Sequence, residues 1–247
     1  MRRHRYDNDT TVISPQGRIF QVEYAMEAVK KGEATVGLKN KDFTVLASLY
    51  EPSAEGTMQR KIMPVSSQLG MSSAGVAPDA KTLFRYMLIE THTYRVSYIG
   101  KIPVDRLMIN LGNKVQAHTN RYDRRPFGAG LLVAGYDEQG SHLYQVMPSA
   151  TVIKCLATAI GSRSQIARDY LENHMQHFEG CSKDDLICHG IRAIRGPLGI
   201  EQKLNIQVAI VGKDVEFKVF GEKETQKYLQ MANHLGFLLE SADTADL

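Results

Sequence analysis

The sequence predicts an α+β fold, a four-layer αββα sandwich of two antiparallel sheets. Strand-like segments come in blocks joined by short turns, which favours antiparallel pairing. Two of these blocks are followed by a pair of amphipathic helices, and no linker rich in Pro, Gly or Ser divides the 247 residues. Two sheets packed face to face, with a helix pair on each outer face, would bury every apolar stripe in one domain.

The first predicted element is a helix over 18–31, after a polar, irregular segment over 1–17. Ser14-Pro15-Gln16-Gly17 has the composition of a tight turn, because proline presets φ at the second turn position. Apolar residues then recur at helical spacing, at Val22, Ala25, Met26 and Val29. A basic last turn followed by Gly32 predicts a glycine cap.

Strand periodicity begins after this helix. Four strands in two hairpins are predicted, at 35–39, 43–49, 62–65 and 69–74. Pro78 then suits the start of a helix that runs toward Gly100, and Pro103 opens a second helix. The two helices are adjacent in sequence and form the first predicted pair.

The second half of the chain repeats this order. The predicted strands lie at 130–136, 142–147, 151–160, 207–211 and 216–220. A helix pair separates the last two from the others, and its second helix follows Ser182 and Asp185, which are spaced as in a capping box. A last helix begins at Glu222. We expect one domain over 18–240, with a tail over 1–17 and a flexible tail over 241–247.

Composition excludes several classes of protein. Hydrophobic residues are 43% and charged residues 23% of the chain, as in soluble globular proteins, and the net charge of +3 does not call for nucleic acid or membrane. No apolar stretch approaches the roughly 20 residues of a membrane helix. The basic start lacks the apolar segment of a secretory signal. Three cysteines without a CxxC spacing predict reduced thiols, so we expect an intracellular protein.

Two clusters could carry chemistry, and each has a plainer interpretation. His174 and His177 are three apart on a predicted helix but lack a third ligand, so we expect a helix face without metal. The arginine-rich segment 121–125 surrounds Tyr122 and could contact phosphate, but we favour a structural loop anchored by arginine hydrogen bonds. No phosphate-loop or dinucleotide motif is present, and no cofactor is expected.

Several motifs resemble one known family. Tyr6-Asp7, the segments 14–18 and 21–29, and Gly32 together closely resemble the N-terminal signature of proteasome alpha subunits. Later matches extend the resemblance over nearly the whole chain, at Arg60-Lys61-Ile62, Ser73-Ala74-Gly75, Asp79-Ala80, 121–130, 135–137 and 161–165. The family has the αββα fold of the N-terminal-nucleophile hydrolases, which agrees with the predicted order of elements.

The resemblance implies an inactive member of that fold. Beta members of the family are hydrolases whose nucleophile is an N-terminal threonine, and their pattern places Glu33 at the nucleophile and Leu49 at the supporting aspartate. Such a threonine uses its own free α-amino group as base, whereas 32 residues precede Glu33 here. We therefore expect no catalytic residue.

The implied function is that of a noncatalytic alpha-ring subunit of the 20S proteasome core. It would scaffold the beta rings, gate substrate entry and dock regulatory particles for ubiquitin-dependent and ubiquitin-independent protein degradation. The implied partners are the other alpha subunits in a ring of seven, the beta subunits and regulatory particles, without membrane or specific nucleic acid. The implied location is the cytoplasm and nucleus.

Six residues match functional positions of the family. Those that hold the ordered open form of the gate at the axial pore are Tyr6, Asp7, Pro15 and Tyr24. Lys61 matches the lysine that receives the terminal carboxylate of a regulator's tail between adjacent alpha subunits, and Gly75 matches the wall of that pocket. The alternatives are that Tyr24 only packs on its helix and that Lys61 is a solvated strand-end lysine. Asn8 and Ile13 depart from the family's usual arginine and aromatic residue.

Two other functions remain open from the sequence. One is a self-processing threonine peptidase, which would lose its N-terminal segment. The other is an RNA-contacting module that uses 2–5 and 121–125, whose binding would weaken steeply with salt.

Overall fold

The computed structural model describes residues 6–50, 60–196 and 205–243, and for 233–243 it describes the backbone alone. The strands are β1 (Thr35–Lys39), β2 (Phe43–Leu49), β3 (Ile62–Ser66), β4 (Leu69–Gly75), β5 (Ala129–Asp137), β6 (Gly140–Val146), β7 (Val152–Lys154), β8 (Ala157–Ile160), β9 (Ile206–Gly212) and β10 (Val215–Val219). The helices are α1 (Phe20–Lys31), α2 (Ala77–Tyr98), α3 (Val104–Thr119), α4 (Ser164–Phe178), α5 (Lys183–Arg195) and α6 (Glu222–Asp243). Among these described residues, no helix combines the length and apolarity that crossing a bilayer requires.

The described strands form two five-stranded sheets. The first sheet has the order β10-β9-β2-β1-β8 and the second the order β3-β4-β5-β6-β7. Every pairing among the described strands is antiparallel. The hairpins predicted from the short turns are therefore confirmed, because each joins neighbours in one sheet.

Three hydrophobic clusters hold four layers together. The inter-sheet cluster consists of Val29, Leu46, Ile62, Ala74, Leu132, Ala134, Leu143, Ile160, Ala209 and Val211. A second cluster joins the outer face of the first sheet to α4, α5 and α6, and a third joins the outer face of the second sheet to α2 and α3. The predicted αββα sandwich is thereby confirmed.

Helix α1 lies against β4 and β5. Its Val29 is 1% exposed and enters the inter-sheet cluster. Gly32 caps the helix as predicted, with its N–H donating to the Val29 carbonyl oxygen at 3.0 Å, and its backbone is extended, with φ −70° and ψ 160°. Glycine is needed there for close approach, because a Cβ on Gly32 would overlap the amide nitrogen of Gly75.

The prediction of one strand over 151–160 is wrong. The segment forms two strands in different sheets, β7 paired with β6 and β8 paired with β1. Cys155 and Leu156 cross between the sheets, and the Cys155 N–H donates to the carbonyl oxygen of Leu143 at 2.9 Å. Periodicity indicates extended backbone but does not identify the neighbouring strand, which is why the break was not visible in the sequence.

Other boundaries lie close to those predicted. α1 begins two residues late, because the Arg18 N–H donates to the Ser14 hydroxyl oxygen at 3.1 Å and so belongs to the preceding turn. Ser182 caps α5 as predicted, accepting the Asp185 N–H at 3.2 Å. α6 continues to Asp243, three residues into the predicted tail, and residues 244–247 lie outside the described residues.

We predict that Gly75→Ala destabilises the fold by about 3 kcal/mol, as measured by urea unfolding. Gly75 has φ +105°, and an added Cβ would overlap the carbonyl oxygen of Gly128. Gly17→Ala is the matched control, since Gly17 has φ +76° but its added Cβ would meet nothing within 4 Å. It should lose only about 1 kcal/mol. Equal stability of the two variants would contradict the close contact at Gly75.

Candidate functional site

The N-terminal residues 6–18 fold back against α1 through the predicted turn. The Gly17 N–H donates to the Ser14 carbonyl oxygen at 2.9 Å, and Gly17 adopts φ +76°. Pro15 occupies the second position of this turn, where its fixed φ is favourable. Ser14 is buried, so the turn is packed as well as hydrogen-bonded.

The structure brings all four predicted gate residues together. Tyr6, Pro15 and Tyr24 line one hollow of about 510 Å³ beside α1. The Tyr24 hydroxyl donates to Oδ2 of Asp7 at 3.2 Å. Gln21, which the sequence did not single out within its motif, donates from Nε2 to the Asp7 carbonyl oxygen at 2.5 Å. Tyr24 therefore does more than pack on its own helix, because it also binds the tail.

The protonation state of Tyr24 suits this contact. Burial and the hydrogen bond to Asp7 raise the pKa of Tyr24 above its usual value of 10.0. The phenol therefore stays protonated at neutral pH and can donate to the carboxylate. The ring is still 46% exposed, so it remains accessible to a further contact.

Thr10 anchors the tail to the loop over 121–124. Its side chain is buried, and its hydroxyl donates to the Arg121 carbonyl oxygen at 2.7 Å. The predicted arginine hydrogen bonds within this loop are confirmed, since Arg121 donates twice to Asp123 at 2.9 Å. A threonine in a polar segment gives no sequence signal for such a contact, and only the fold places Thr10 beside the loop.

The loop over 121–128 is tied to the start of α2. Arg125 donates to both carboxylate oxygens of Asp79, at 2.6 and 2.8 Å, and the Gly128 N–H donates to Asp79 at 2.8 Å. Burial alone would raise the pKa of Asp79, but these hydrogen bonds outweigh it and lower the pKa below 3.8. Asp79 is therefore ionised in the folded protein at neutral pH. It fixes the loop over 121–128, and this loop in turn accepts the hydrogen bond from Thr10.

Lys61 and Gly75 lie at the same end of the β3–β4 pair. Lys61 is half-buried and directly precedes Ile62, which pairs with Ser72 on β4. The fold itself, however, already explains why position 75 is glycine. The backbone of Gly75 packs closely against Gly32, and an added Cβ would overlap the carbonyl oxygen of Gly128. Glycine at position 75 therefore does not by itself indicate space for a bound tail.

The position of the absent nucleophile lies at the open end of the β1–β2 hairpin. The Leu49 N–H donates to the Ala34 carbonyl oxygen at 3.0 Å, which places Leu49 beside the residue after Glu33. The backbone continues from α1 through Gly32 into Glu33 and β1, so the nitrogen of Glu33 is a peptide amide. A free α-amino base is impossible at this position unless the chain is cleaved.

The remaining candidates have structural roles. His174 donates from Nδ1 to the Tyr170 carbonyl oxygen at 2.8 Å within its own helix. In the described ranges, no group of three or more His, Cys, Asp or Glu side chains is arranged to hold a metal ion. Cys155, Cys181 and Cys188 are all free thiols, as predicted.

We predict that Asp79→Asn destabilises the protein at neutral pH by about 1–2 kcal/mol, because a charge-assisted bidentate pair is lost. The folded pKa of Asp79 is depressed, so its contribution is complete above the unfolded value of 3.8 and disappears as pH falls through the folded pKa. Urea unfolding from pH 7 to pH 3 should therefore show the two proteins converging in acid.

Asp123→Asn is the control for this measurement. Asp123 also pairs with an arginine, but both side chains are largely exposed, so little change is expected. A constant difference between Asp79→Asn and the unsubstituted protein at every pH would show that the Asp79 carboxylate is not the titrating group.

Two family models together match residues 6–211 of the chain. The model described as proteasome subunit covers residues 29–211, and the model for the N-terminal signature of A-type proteasome subunits covers residues 6–28. The chain is 54% identical over 239 residues to the alpha type-1 proteasome subunit of Drosophila melanogaster, across 94% of this chain and 86% of that relative.

Two further relatives are similar over nearly their whole length. Identity is 45% over 236 residues with the alpha type-1 subunit of Dictyostelium discoideum, across 94% of this chain and 95% of that relative. Identity is 40% over 235 residues with the alpha type-6 subunit of Saccharomyces cerevisiae, across 93% and 100%. The segments 6–9, 124–128 and 167–172 also look most like alpha type-1, the sixth alpha position. With both family models and these relatives in agreement, the chain belongs to the proteasome subunit family, among its alpha-type members.

Proposed function

We propose that this alpha-type chain is a noncatalytic member of the seven-membered alpha ring of the 20S core. There it scaffolds the beta rings, gates substrate entry and docks regulatory particles for ubiquitin-dependent and ubiquitin-independent degradation, in the cytoplasm and nucleus. The observation that carries this proposal is the match of residues 6–28 to the alpha-type signature, since the same segment folds onto α1 as one hydrogen-bonded unit.

A scaffold role agrees with the chemistry at the ancestral nucleophile position. Glu33 and Leu49 stand where a threonine and an aspartate would be needed, and position 33 lies within the peptide chain. A carboxylate without an adjacent free amine cannot reproduce a threonine nucleophile activated by its own terminus. Catalysis is therefore assigned to the beta subunits.

Gating is supported by the way in which the tail is held. Asp7 receives hydrogen bonds from two side chains of α1, and Thr10 is held by the loop over 121–124. Each of these polar contacts is worth about 1 kcal/mol, so the tail can exchange between arrangements without unfolding the domain. Since Asn8 and Ile13 are not the family's usual residues, Tyr24 and Asp7 carry most of the contribution to gating that we assign to this chain.

Docking is supported by the placement of Lys61 at an accessible sheet edge. An ammonium on a flexible stem is a suitable point charge for the terminal carboxylate of a peptide. Lys61 is half-buried, which allows contact with a ligand while limiting full hydration. The pocket would form where this chain meets its neighbour in the ring.

We expect native mass spectrometry of the tagged chain, purified gently from its own cells, to find one copy in each seven-membered ring of a stacked particle. Denaturing intact mass should show an uncleaved N-terminal segment, because position 33 carries glutamate where self-cleavage of this kind would need threonine. A small particle with a new N-terminus near Glu33 would contradict the scaffold proposal and favour a self-processing peptidase.

Tyr24→Phe should lower regulator-stimulated hydrolysis of peptides by the assembled particle about two- to fivefold, because the hydrogen bond that holds the ordered tail is lost. The control is Tyr122→Phe, since the Tyr122 ring is 82% exposed and its hydroxyl makes no hydrogen bond with the described residues. If the two variants hydrolyse peptide equally fast, Tyr24 has no part in the gate.

A further inference from the structure

The backbone around Lys61 lies at the edge of a sheet. β3 is the outermost strand of the second sheet, and within the described residues it pairs with β4 alone. N–H groups on the free side of an edge strand need a partner other than a strand. The group that accepts hydrogen bonds from the N–H groups at the start of β3 therefore determines where the backbone of Lys61 lies.

One buried side chain supplies that partner. Oε1 of Gln207 accepts the N–H of Lys61 at 3.1 Å and the N–H of Ile62 at 3.0 Å. Gln207 is 8% exposed and belongs to β9 of the first sheet, where it pairs with Ser48 on β2. Its side chain thus reaches from one sheet to the edge of the other and fixes two consecutive amides to an interior strand.

This anchor fixes the backbone from which the Lys61 side chain extends. Ile62 enters the inter-sheet cluster, whereas Lys61 lies in a bend directly before β3 and is half-buried. Because both amides are bonded to one oxygen of a buried side chain, the backbone of Lys61 is held relative to the first sheet.

The structure leaves room for this segment to move if the anchor is lost. Gln207 lines a hollow of about 430 Å³ together with Tyr50, Arg60, Ile62 and Phe217, among others. If Gln207 no longer accepted their hydrogen bonds, the N–H groups of Lys61 and Ile62 would be free to turn toward this hollow and bond to solvent. The lysine would then have to be ordered again at each binding event.

We propose that Gln207 is a positioning residue for regulator docking, because its amide oxygen fixes the backbone of Lys61 so that Nζ is presented to the terminal carboxylate of a regulator's tail. The inference rests on the docking role proposed above. Gln207 itself does not touch the tail; it acts through Lys61.

The experiment uses the assembled particle and a carbodiimide, which joins a carboxylate to an amine that it contacts. The probe is a ten-residue peptide with the C-terminal sequence of a regulatory-particle component that co-purifies with the chain. Its free acid should form an amide with Lys61, as quantified by mass spectrometry, and its C-terminal amide should not. Absence of this product in the unsubstituted particle would overturn the docking role, and the inference with it.

Substitutions then separate the positioning role from docking. Gln207→Leu should reduce the Lys61 product about three- to tenfold, and Gln207→Glu, which keeps an acceptor oxygen, should restore it. Gln145→Leu is the matched control, because Oε1 of Gln145 accepts from the Thr158 hydroxyl at 2.9 Å and links β6 to β8 in the two sheets away from Lys61. It should leave the product unchanged. If Gln207→Leu gives the Lys61 product in full yield, Gln207 is not a positioning residue, although the docking role of Lys61 is retained.

A measurement on the unsubstituted particle covers the case in which Gln207→Leu fails to assemble. Hydrogen exchange at the amides of Lys61 and Ile62 should be slow, because both are bonded to a buried acceptor. Fast exchange at these two amides in the intact particle would show that Gln207 does not hold them.

Discussion

The close approach of Gly32, Gly75 and Gly128 determines where α1 lies, and the candidate site depends on that position. At this point the end of α1, the end of β4 and the start of β5 meet with backbone against backbone. Any side chain here would push the helix away from the sheets and withdraw Val29 from the inter-sheet cluster. The hollow beside Tyr24 and the bond to Asp7 both follow from this placement.

The tail is held by a different kind of interaction. Its contacts with α1 are hydrogen bonds from Tyr24 and Gln21, and Thr10 bonds to the loop over 121–124, whereas the domain beneath it is held by three apolar clusters. The hydrogen bond from Tyr24 lies at a half-exposed surface, where water can replace it, whereas the apolar clusters are buried. A stable domain with a hydrogen-bonded segment on its surface agrees with the gating role that we propose for this chain.

Polar links between the sheets complement the apolar interior. Gln207 connects β9 to the start of β3, and Gln145 connects β6 to β8 near the opposite edge. Apolar packing fixes the distance between two sheets but is non-directional, so it tolerates sliding. Directional amide contacts at the two edges restrict such sliding, and at one edge they also fix the residue that we assign to docking.

The sequence by itself determined the order of elements, the antiparallel pairing within hairpins, the Ser14–Gly17 turn and the Ser182 cap, because each depends on residues a few positions apart. Through its resemblance to the family, the sequence also predicted the gate residues Tyr6, Asp7 and Pro15 in the tail and Tyr24 on α1.

Only the tertiary structure decided that the segment 151–160 divides between the sheets, that Thr10 bonds to a loop 111 residues away and that Gln207 holds Lys61 from 146 residues away. The tertiary structure also shows why positions 32 and 75 require glycine, since an added Cβ at either would overlap backbone atoms of another segment. These features arise from packing between segments that are distant in sequence, and local periodicity contains no information about which distant segment will be the neighbour.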